Sequence, residues 1–390
     1  MRIKSIEVKN FKSLVDFKIE LAQFNCLIGL NGSGKSTVLQ FLDFASQLVR
    51  GGMKGWLNKR KWEPSDLKSK LTRRMNIDLI VSFTDEHGQE AGRWDASYNP
   101  SENRCTRERI GLDQSFLEVA KGRIRWRDGD DRKSEITFDY EGSILSVLKE
   151  GLLPQPILES KNLMTAVESL DLFSPEYLRQ RTRVSSGSLG LGGQNLAAFL
   201  SELGPSKCGE LAKRLRAVYP LLDNLDIKSL RSGWKQLEIT EKYWGQESNQ
   251  VSLFPRMTTE ARHINDGMLR LIAILAALES GGRFLLFDEI ENGINPELVE
   301  FVIEALTSTD KQVLVTTHSP MILNYLSDEI AKSGVIYLYK TPEGSTKAIQ
   351  FFSIPSIAEK LTVMGPGEVF VDTNLIDLIE EIRSLDVAGR

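Results

Sequence analysis

Cysteine and histidine are both scarce in this chain, three of each in 390 residues. Cys26, Cys105 and Cys208 are an odd number at wide spacing with no CxxC pair, which argues against a disulfide framework and against structural zinc. The opening MRIKSIEVKNFKSL has no apolar signal core, and no later stretch approaches the roughly 18 uninterrupted apolar residues that a membrane helix requires. A cytoplasmic protein with no membrane partner is the expectation. Charge of neither sign dominates: 49 Lys plus Arg stand against 53 Asp plus Glu, a formal charge of -4. The whole chain is therefore no general polyanion binder, although a local basic patch is compatible with that balance. Internal repeats, low-complexity tracts and long heptad runs are absent as well. With 41% apolar and 26% charged residues, what remains is an ordinary globular composition in a chain too long for one small core.

Periodicity divides the chain. Ile3, Ile6 and Val8 alternate with polar neighbours, and residues 21–28 form an apolar run that ends in a glycine-rich turn, so both read as strands. From 77 to about 140, IDLIVSF, GRWDASY and GRIRWRDGDDRKSEITFDY alternate in the same way, with Asp128-Gly129 as a hairpin turn, which predicts an antiparallel β region. Between 143 and 223 the period lengthens, as at Leu211, Leu215, Val218 and Leu222, and predicts helix. Residues 234–257 return to strand chemistry, and 268–279 read as a compact apolar helix. From 283 onward FLLFD, PELVEFVIEALTS, QVLVTT, PMILNYL and VIYLYK alternate strand and helix, the pattern of a parallel sheet with crossover helices. The expected organisation is a discontinuous unit of 1–150 and 258–390 interrupted by a helical insert, 151–257, with a terminal hairpin.

The strand ending at Ile28 runs into Gly29-Leu30-Asn31-Gly32-Ser33-Gly34-Lys35-Ser36-Thr37 and then the helical pattern VLQFLDFA, so GxxxxGK[ST] stands in its strand-loop-helix context. Such a loop wraps phosphates with backbone N–H groups, Lys35 brings a cation to the β and γ phosphates, and Ser36 offers a hydroxyl to Mg²⁺. ATP and Mg²⁺ are the implied ligands, and in the empty loop the Lys35 charge is expected to face solvent. RFLLFDE, 283–289, is an apolar strand ending in two acids, where a parallel sheet presents ligands. Either these acids are a solvated turn, or Asp288 holds Mg²⁺ and Glu289 polarises the attacking water. After the strand QVLVTT, His318 would lie at the same edge, as a surface or capping residue or as a γ-phosphate contact. Asn265-Asp266-Gly267 opens the 268–279 helix, with Asp266 a suitable N-cap; the alternative is that the free N–H groups there meet the γ-phosphate of a nucleotide on a second subunit.

The blocks GLNGSGKST, INDGMLRLIAILAAL, DEIENGINP and TTHSP, with the opening IKSIEVKNFKSL and GGQNLAAFL at 192–200, resemble the RecF/OLD-like branch of ABC-type ATPases, relatives of SMC proteins. The resemblance implies an α/β P-loop NTPase fold of ABC/RecF-like type with an N-terminal antiparallel β lobe and a helical insert. It also implies a head-to-tail homodimer or higher homo-oligomer sandwiching two ATPs, with Asn265, Asp266 and Gly267 acting across the interface and His318 as a switch histidine. Asn10, Phe11 and Lys12 match a stretch that often approaches the nucleotide. Three departures stand out. Asn265 replaces the usual Ser of the signature; no Q-loop glutamine can be placed, Gln180 being the best candidate but read rather as a surface glutamine; and residues 319–390 hold no DxD, so the Toprim nuclease of OLD proteins is expected to be missing.

Basic residues cluster at 54–74, eight Lys or Arg with Trp56 and Trp62 between them, and again at Arg123, Arg125 and Arg127 and at Arg179, Arg181 and Arg183. Each is either a solvated surface or a track for a nucleic-acid backbone. The resulting expectation is an ATPase head linked to DNA, serving defence against foreign DNA beside a separately encoded nuclease. A RecF-like repair mediator is the alternative, and a non-catalytic ATP-switched module the alternative of another class.

Overall fold

The computed structural model describes every residue except 113, 129, 171–173, 186, 248–249, 254–255 and 389–390. The chain opens with an antiparallel pair, β1 (Arg2–Phe11) and β2 (Leu14–Glu20), then enters β3 (Phe24–Ile28), the glycine loop, α1 (Lys35–Arg50) and α2 (Met53–Arg60). A meander follows: β4 (Ile77–Thr84), β5 (Glu90–Asn99), β6 (Arg104–Leu112), β7 (Ser115–Ala120), β8 (Arg123–Asp128) and β9 (Asp130–Glu135). Together with β1 and β2 they form one eight-stranded sheet in the order β2-β1-β4-β5-β6-β7-β8-β9. Period-2 alternation drives it: on β5 Gly92, Trp94 and Ala96 are buried while Arg93 and Asp95 between them are not. β8 pairs with β9 as a hairpin, although Gly129 of the predicted turn lies outside the described residues.

The next stretch corrects one expectation. Residues 143–223 contain helices α3 (Gln155–Thr165), α4 (Pro175–Leu178) and α5 (Leu196–Leu215), but also strand β10 (Val167–Leu170). Four residues that include Glu168 carry no strand periodicity of their own; parallel pairing with a later strand, β16, makes them one. α5 is broken where Gly204 takes φ +83° just before Pro205. Strands β11 (Leu222–Ser229), β12 (Lys235–Glu241), β13 (Trp244–Glu247), β14 (Gln250–Leu253) and β15 (Met257–Glu260) complete this segment, β11-β12-β15 and β13-β14 forming separate small sheets.

The C-terminal part runs α6 (Asp266–Leu278), β16 (Phe284–Phe287), α7 (Pro296–Thr307), β17 (Gln312–Thr316), α8 (Pro320–Asn324), α9 (Asp328–Gly334), β18 (Val335–Lys340), β19 (Thr346–Gln350), α10 (Pro355–Lys360), α11 (Pro366–Val371) and α12 (Leu375–Ala388). Its six-stranded sheet has the order β10-β16-β17-β3-β18-β19 and is parallel except for β19.

Both faces of this sheet are covered, which is why β16 and β17 read as unbroken apolar runs. Leu285, Phe287, Val313 and Val315 face a core shared with α5, α6 and α7. Phe284, Leu286 and Leu314 face a second core, where α1 and the antiparallel sheet contribute Phe41, Phe44, Val81 and Trp94. Truncating a fully buried aromatic there, Phe41→Ala for instance, would cost about 3–5 kcal/mol. One consequence matters for chemistry. β3, β16 and β17 are parallel neighbours, so Ile28, Phe287 and Thr316 all end at one edge of the sheet.

Candidate functional site

At that edge the loop 29–34 leaves β3. Gly29 takes φ +142°, and a Cβ there would lie 2.3 Å from the Leu338 carbonyl oxygen; Gly34 takes φ +113°, and a Cβ would lie 2.4 Å from Oγ1 of Thr346. Both positions exclude any side chain. Thr346, buried on β19, donates to the Ser33 carbonyl at 2.8 Å and lies 2.9 Å from the Ser13 hydroxyl, so the loop is braced from two distant segments. α1 begins at Lys35 with no side-chain cap and no acid in its first turn, and the Ser33 hydroxyl is buried without a hydrogen-bond partner. A helix start with free donors and no competing carboxylate fits a polyphosphate.

Lys35 corrects a second expectation, that its charge faces solvent. It is 5% exposed, and Nζ donates to the carbonyls of Gly29 at 2.8 Å and Leu30 at 3.2 Å. Burial lowers its pKa, while Asp288, Glu289 and Glu291 act on it in the opposite direction. The phosphate-loop lysine and three acids of 288–291 thus share one electrostatic environment. Gly32, Ser36 and Thr37 follow in the same loop and first helical turn; Asn31 and Gly32 are exposed at the tip.

Asp288 and Glu289 sit just past β16. The buried Thr316 at the end of β17 joins them: its hydroxyl donates to Asp288 Oδ1 at 2.5 Å and accepts the Glu289 N–H at 2.8 Å. Glu289 is held at φ +47°, a left-handed conformation that a glutamate rarely adopts. His318 Nε2 is 3.9 Å from Glu289 Oε1, and the His318 N–H donates to Glu291 Oε1 at 2.7 Å. Ser13, Glu291 and Thr316 stand inside the motif blocks but with no role assigned to them, Thr346 stands in none, and the register of β3, β16 and β17 and the return of β19 bring them here.

The start of α6 corrects a third expectation. Its cap is Asn265, whose Oδ1 accepts the Met268 N–H at 2.8 Å; Asp266 is the first helical residue. Asp266 instead pairs with Arg179 at 2.5 Å, and Arg179 also donates to the Ile264 carbonyl. None of these bonds of Asn265 or Asp266 reaches residues 29–37 of the same chain. Gly267 abuts the turn after the acids, its Cβ position 3.4 Å from the Gly293 carbonyl oxygen.

Asn10 is buried and donates to the carbonyls of Arg74 and Asn76, Phe11 stacks with Phe44, and Lys12 lies 3.4 Å above the Trp62 ring. Gln180 is exposed beyond α4. In the 54–74 cluster, Trp56 donates to Asp43 and Arg60 pairs with the same carboxylate in the interior, so these side chains are not free to stack on bases. Arg123, Arg125 and Arg127 do alternate on β8 as predicted; Arg123 lies 3.6 Å from Glu135 and Arg125 packs over Phe116. Among the described residues, no group of three or more His, Cys, Asp or Glu side chains could hold a metal by itself, and no helix is long and apolar enough to cross a membrane.

Comparison with known proteins gives the same frame. Residues 1–121 match the family described as "AAA ATPase domain", and residues 232–324 match "AAA domain, putative AbiEii toxin, Type IV TA system". The Nod factor export ATP-binding protein I of Cupriavidus metallidurans is 27% identical over 151 residues, 35% of this chain and 46% of that protein, so the chain matches about half of this curated relative's length. Among solved structures, the SmcHead bound to the C-winged helix domain of ScpA superposes with a TM-score of 0.54 at 15% identity, over 90% of this chain and 97% of that one. An Smc head domain with an extended coiled coil from Pyrococcus furiosus covers 93% of the chain and 99% of its own at a TM-score of 0.49 and 14% identity. Residues 1–121 and 232–324 thus resemble AAA-family ATPase domains, and the fold is a mixed α/β fold resembling the P-loop NTPase fold of the SMC head.

Proposed function

We propose that this chain binds Mg-ATP and hydrolyses it, with two copies closing head to tail around two nucleotides. The observation that supports this most is that β3, which leads into the Lys35 loop, and β16, which leads into Asp288 and Glu289, end at one sheet edge, with the two acids joined through Thr316. Gly29, Gly32, Ser33 and Gly34 would let the backbone wrap the phosphates; Lys35 would exchange its two carbonyl partners for the β and γ phosphates, and the N–H groups of Ser36 and Thr37 would point at them. Ser36 and Asp288 would hold Mg²⁺, which when bound offsets the charge on the phosphoryl oxygens. Glu289 accepts a proton from the attacking water as its oxygen bonds to the γ-phosphorus and the bond to ADP breaks. His318, within reach of Glu289, would sense the γ-phosphate. Asn265, Asp266 and Gly267 would serve the partner's nucleotide, where the N–H groups of the α6 start are the donors.

The biological role we infer is defence against foreign DNA with a separately encoded nuclease or effector. The match of 232–324 to a family named for a toxin of toxin–antitoxin systems favours it over repair. The SMC-head likeness is compatible with a protein partner, since the superposed head is one that carries the winged-helix domain of another protein. Phosphate release by the purified chain tests the central part: turnover that is lost in both Lys35→Ala and Glu289→Gln supports it. Turnover unchanged in both would place any activity outside this site.

A further inference from the structure

Arg270 lies one turn into α6, three residues after Gly267 and four after Asp266, and is partly buried. Its guanidinium donates through Nη1 to the carbonyl of Asn292, in the turn that follows Glu289. Asn292 is itself tied to Glu289, its N–H donating to the Glu289 carbonyl at 2.9 Å and its amide lying 3.4 Å from Glu289 Oε2. The next residue, Gly293, takes φ +69°, and a Cβ there would fall 2.7 Å from Arg270 Nε. Arg270 Nε is buried with no hydrogen-bond partner, and Arg270 lines one crevice with Asp288, Glu289, Ile274, Ile290 and Ile294.

These contacts sandwich one turn between two points on one helix. The Cβ position of Gly267, at the start of α6, lies 3.4 Å from the Gly293 carbonyl oxygen, and Arg270 holds the preceding carbonyl from one turn further on. An arginine stays charged when partly desolvated and its planar fork fixes direction, which suits it to carry position from one segment to another. Burial works against its charge, while Asp266 at one end and Glu289 at the other act to keep it. We infer that Arg270 is a positioning residue that ties the α6 start to the Glu289 turn, so that a second head's nucleotide engaging Asn265–Gly267 sets the catalytic carboxylate in the first. The inference rests on the hydrolytic, closing-head reading above.

The test is a double-mutant cycle on ATP turnover, with steady-state kcat and KM, binding of a fluorescent ATP analogue, and thermal midpoints measured on each protein. Arg270→Met keeps most of the side-chain volume and removes the donors; it should lower kcat about 10- to 100-fold, the scale of a misplaced catalytic group, while KM and analogue binding stay within about threefold because Lys35 and its loop are untouched. Gly293→Ala should act alike by pushing the guanidinium away. If both work through the same contact, the double variant should fall little further than the worse single variant. Arg270→Lys, which keeps the charge and one donor, should recover part of kcat, and it takes over the test with Gly293→Ala if the Met variant does not fold. A kcat within twofold of wild type in Arg270→Met, a KM rising in step with the loss, or losses that multiply in the double variant would each overturn the inference. Wild-type protein that binds ATP without turning it over would instead overturn the reading beneath it, and shows before any substitution is made.

Discussion

The Thr316 hydroxyl lies 2.5 Å from Asp288 Oδ1 and at the same time accepts the N–H of Glu289, so one buried side chain on β17 fixes both acids at the end of β16. Thr316→Val keeps the shape and removes the hydroxyl. It strands a carboxylate oxygen and an N–H in a partly buried place, which should lower stability by about 1–3 kcal/mol, and it frees the left-handed Glu289 to move. Turnover should drop much further than ATP binding, and Thr316→Ser should restore most of it. Equal turnover in the valine and wild-type proteins would show that the hydroxyl does not position the acids.

Lys35→Ala should abolish turnover. Two effects on stability oppose each other: the Gly29 and Leu30 carbonyls lose a donor, each bond worth about 1 kcal/mol net, while the penalty of burying an ammonium disappears. The thermal midpoint of the nucleotide-free variant should therefore stay close to wild type, whereas the stabilisation by Mg-ATP should vanish. A variant stabilised by Mg-ATP as strongly as wild type would remove Lys35 from the phosphate site.

Glu108 gives a pH signature unrelated to turnover. It is fully buried on β6, accepting from Trp94 Nε1 at 2.8 Å, from the Ile144 N–H at 3.0 Å and from the Ser143 hydroxyl. Burial raises its pKa above the ordinary 4.5, against the pull of those three donors. A raised carboxyl binds its proton more tightly in the folded than in the unfolded state. Its stabilising contribution is therefore fullest below 4.5 and is lost as pH climbs through the folded value. The stability of wild type relative to Glu108→Gln should accordingly shrink as pH rises above 4.5 in thermal melts. A difference that stays constant up to neutral pH would contradict the burial effect.

Arg60 pairs with Asp43 at 2.6 Å, both side chains under 10% exposed, and Trp56 donates to the same carboxylate at 2.7 Å. Arg60→Ala leaves a buried charge with only one of these partners and should cost about 3–5 kcal/mol. Chemical denaturation reads this directly, and an unchanged midpoint would return Arg60 to a solvated basic surface.

What could be read from residues alone was the chemistry carried by short, contiguous patterns. Gly29 to Thr37 declare themselves because strand, loop and helix follow one another in the chain, and Asp288 with Glu289 because they close an apolar strand. The supports of these motifs were hidden. Thr346 reaches Ser33 across 313 positions, and no local period signals that contact. Strand β10 exists through β16, not through its own four residues. At the start of α6 Asn265 and Asp266 are equally good capping types, and only the backbone shows that the cap is the first of them. Trp56 and Trp62 beside lysines look like a stacking platform in one dimension; folded, they pack edge to face on each other with Arg60 beside both rings.

The most direct measurement of the closing-head account is light scattering with and without Mg-ATP on two proteins, Glu289→Gln and Glu289→Gln with Gly267→Asp. The first keeps the phosphate loop and Asp288 but loses its base, slowing hydrolysis about 10²- to 10⁴-fold, so ATP should persist and drive dimerisation. Gly267 is not in a left-handed conformation and a Cβ there meets nothing closer than 3.4 Å, so the backbone and the first side-chain carbon of an aspartate are accommodated in the single head. In the dimer it would stand beside the partner's γ-phosphate, where like charges in a partly desolvated site repel. The account predicts an ATP-dependent rise in mass for the single variant and none for the double variant, with both still binding nucleotide. The same ATP response in the two proteins would contradict it.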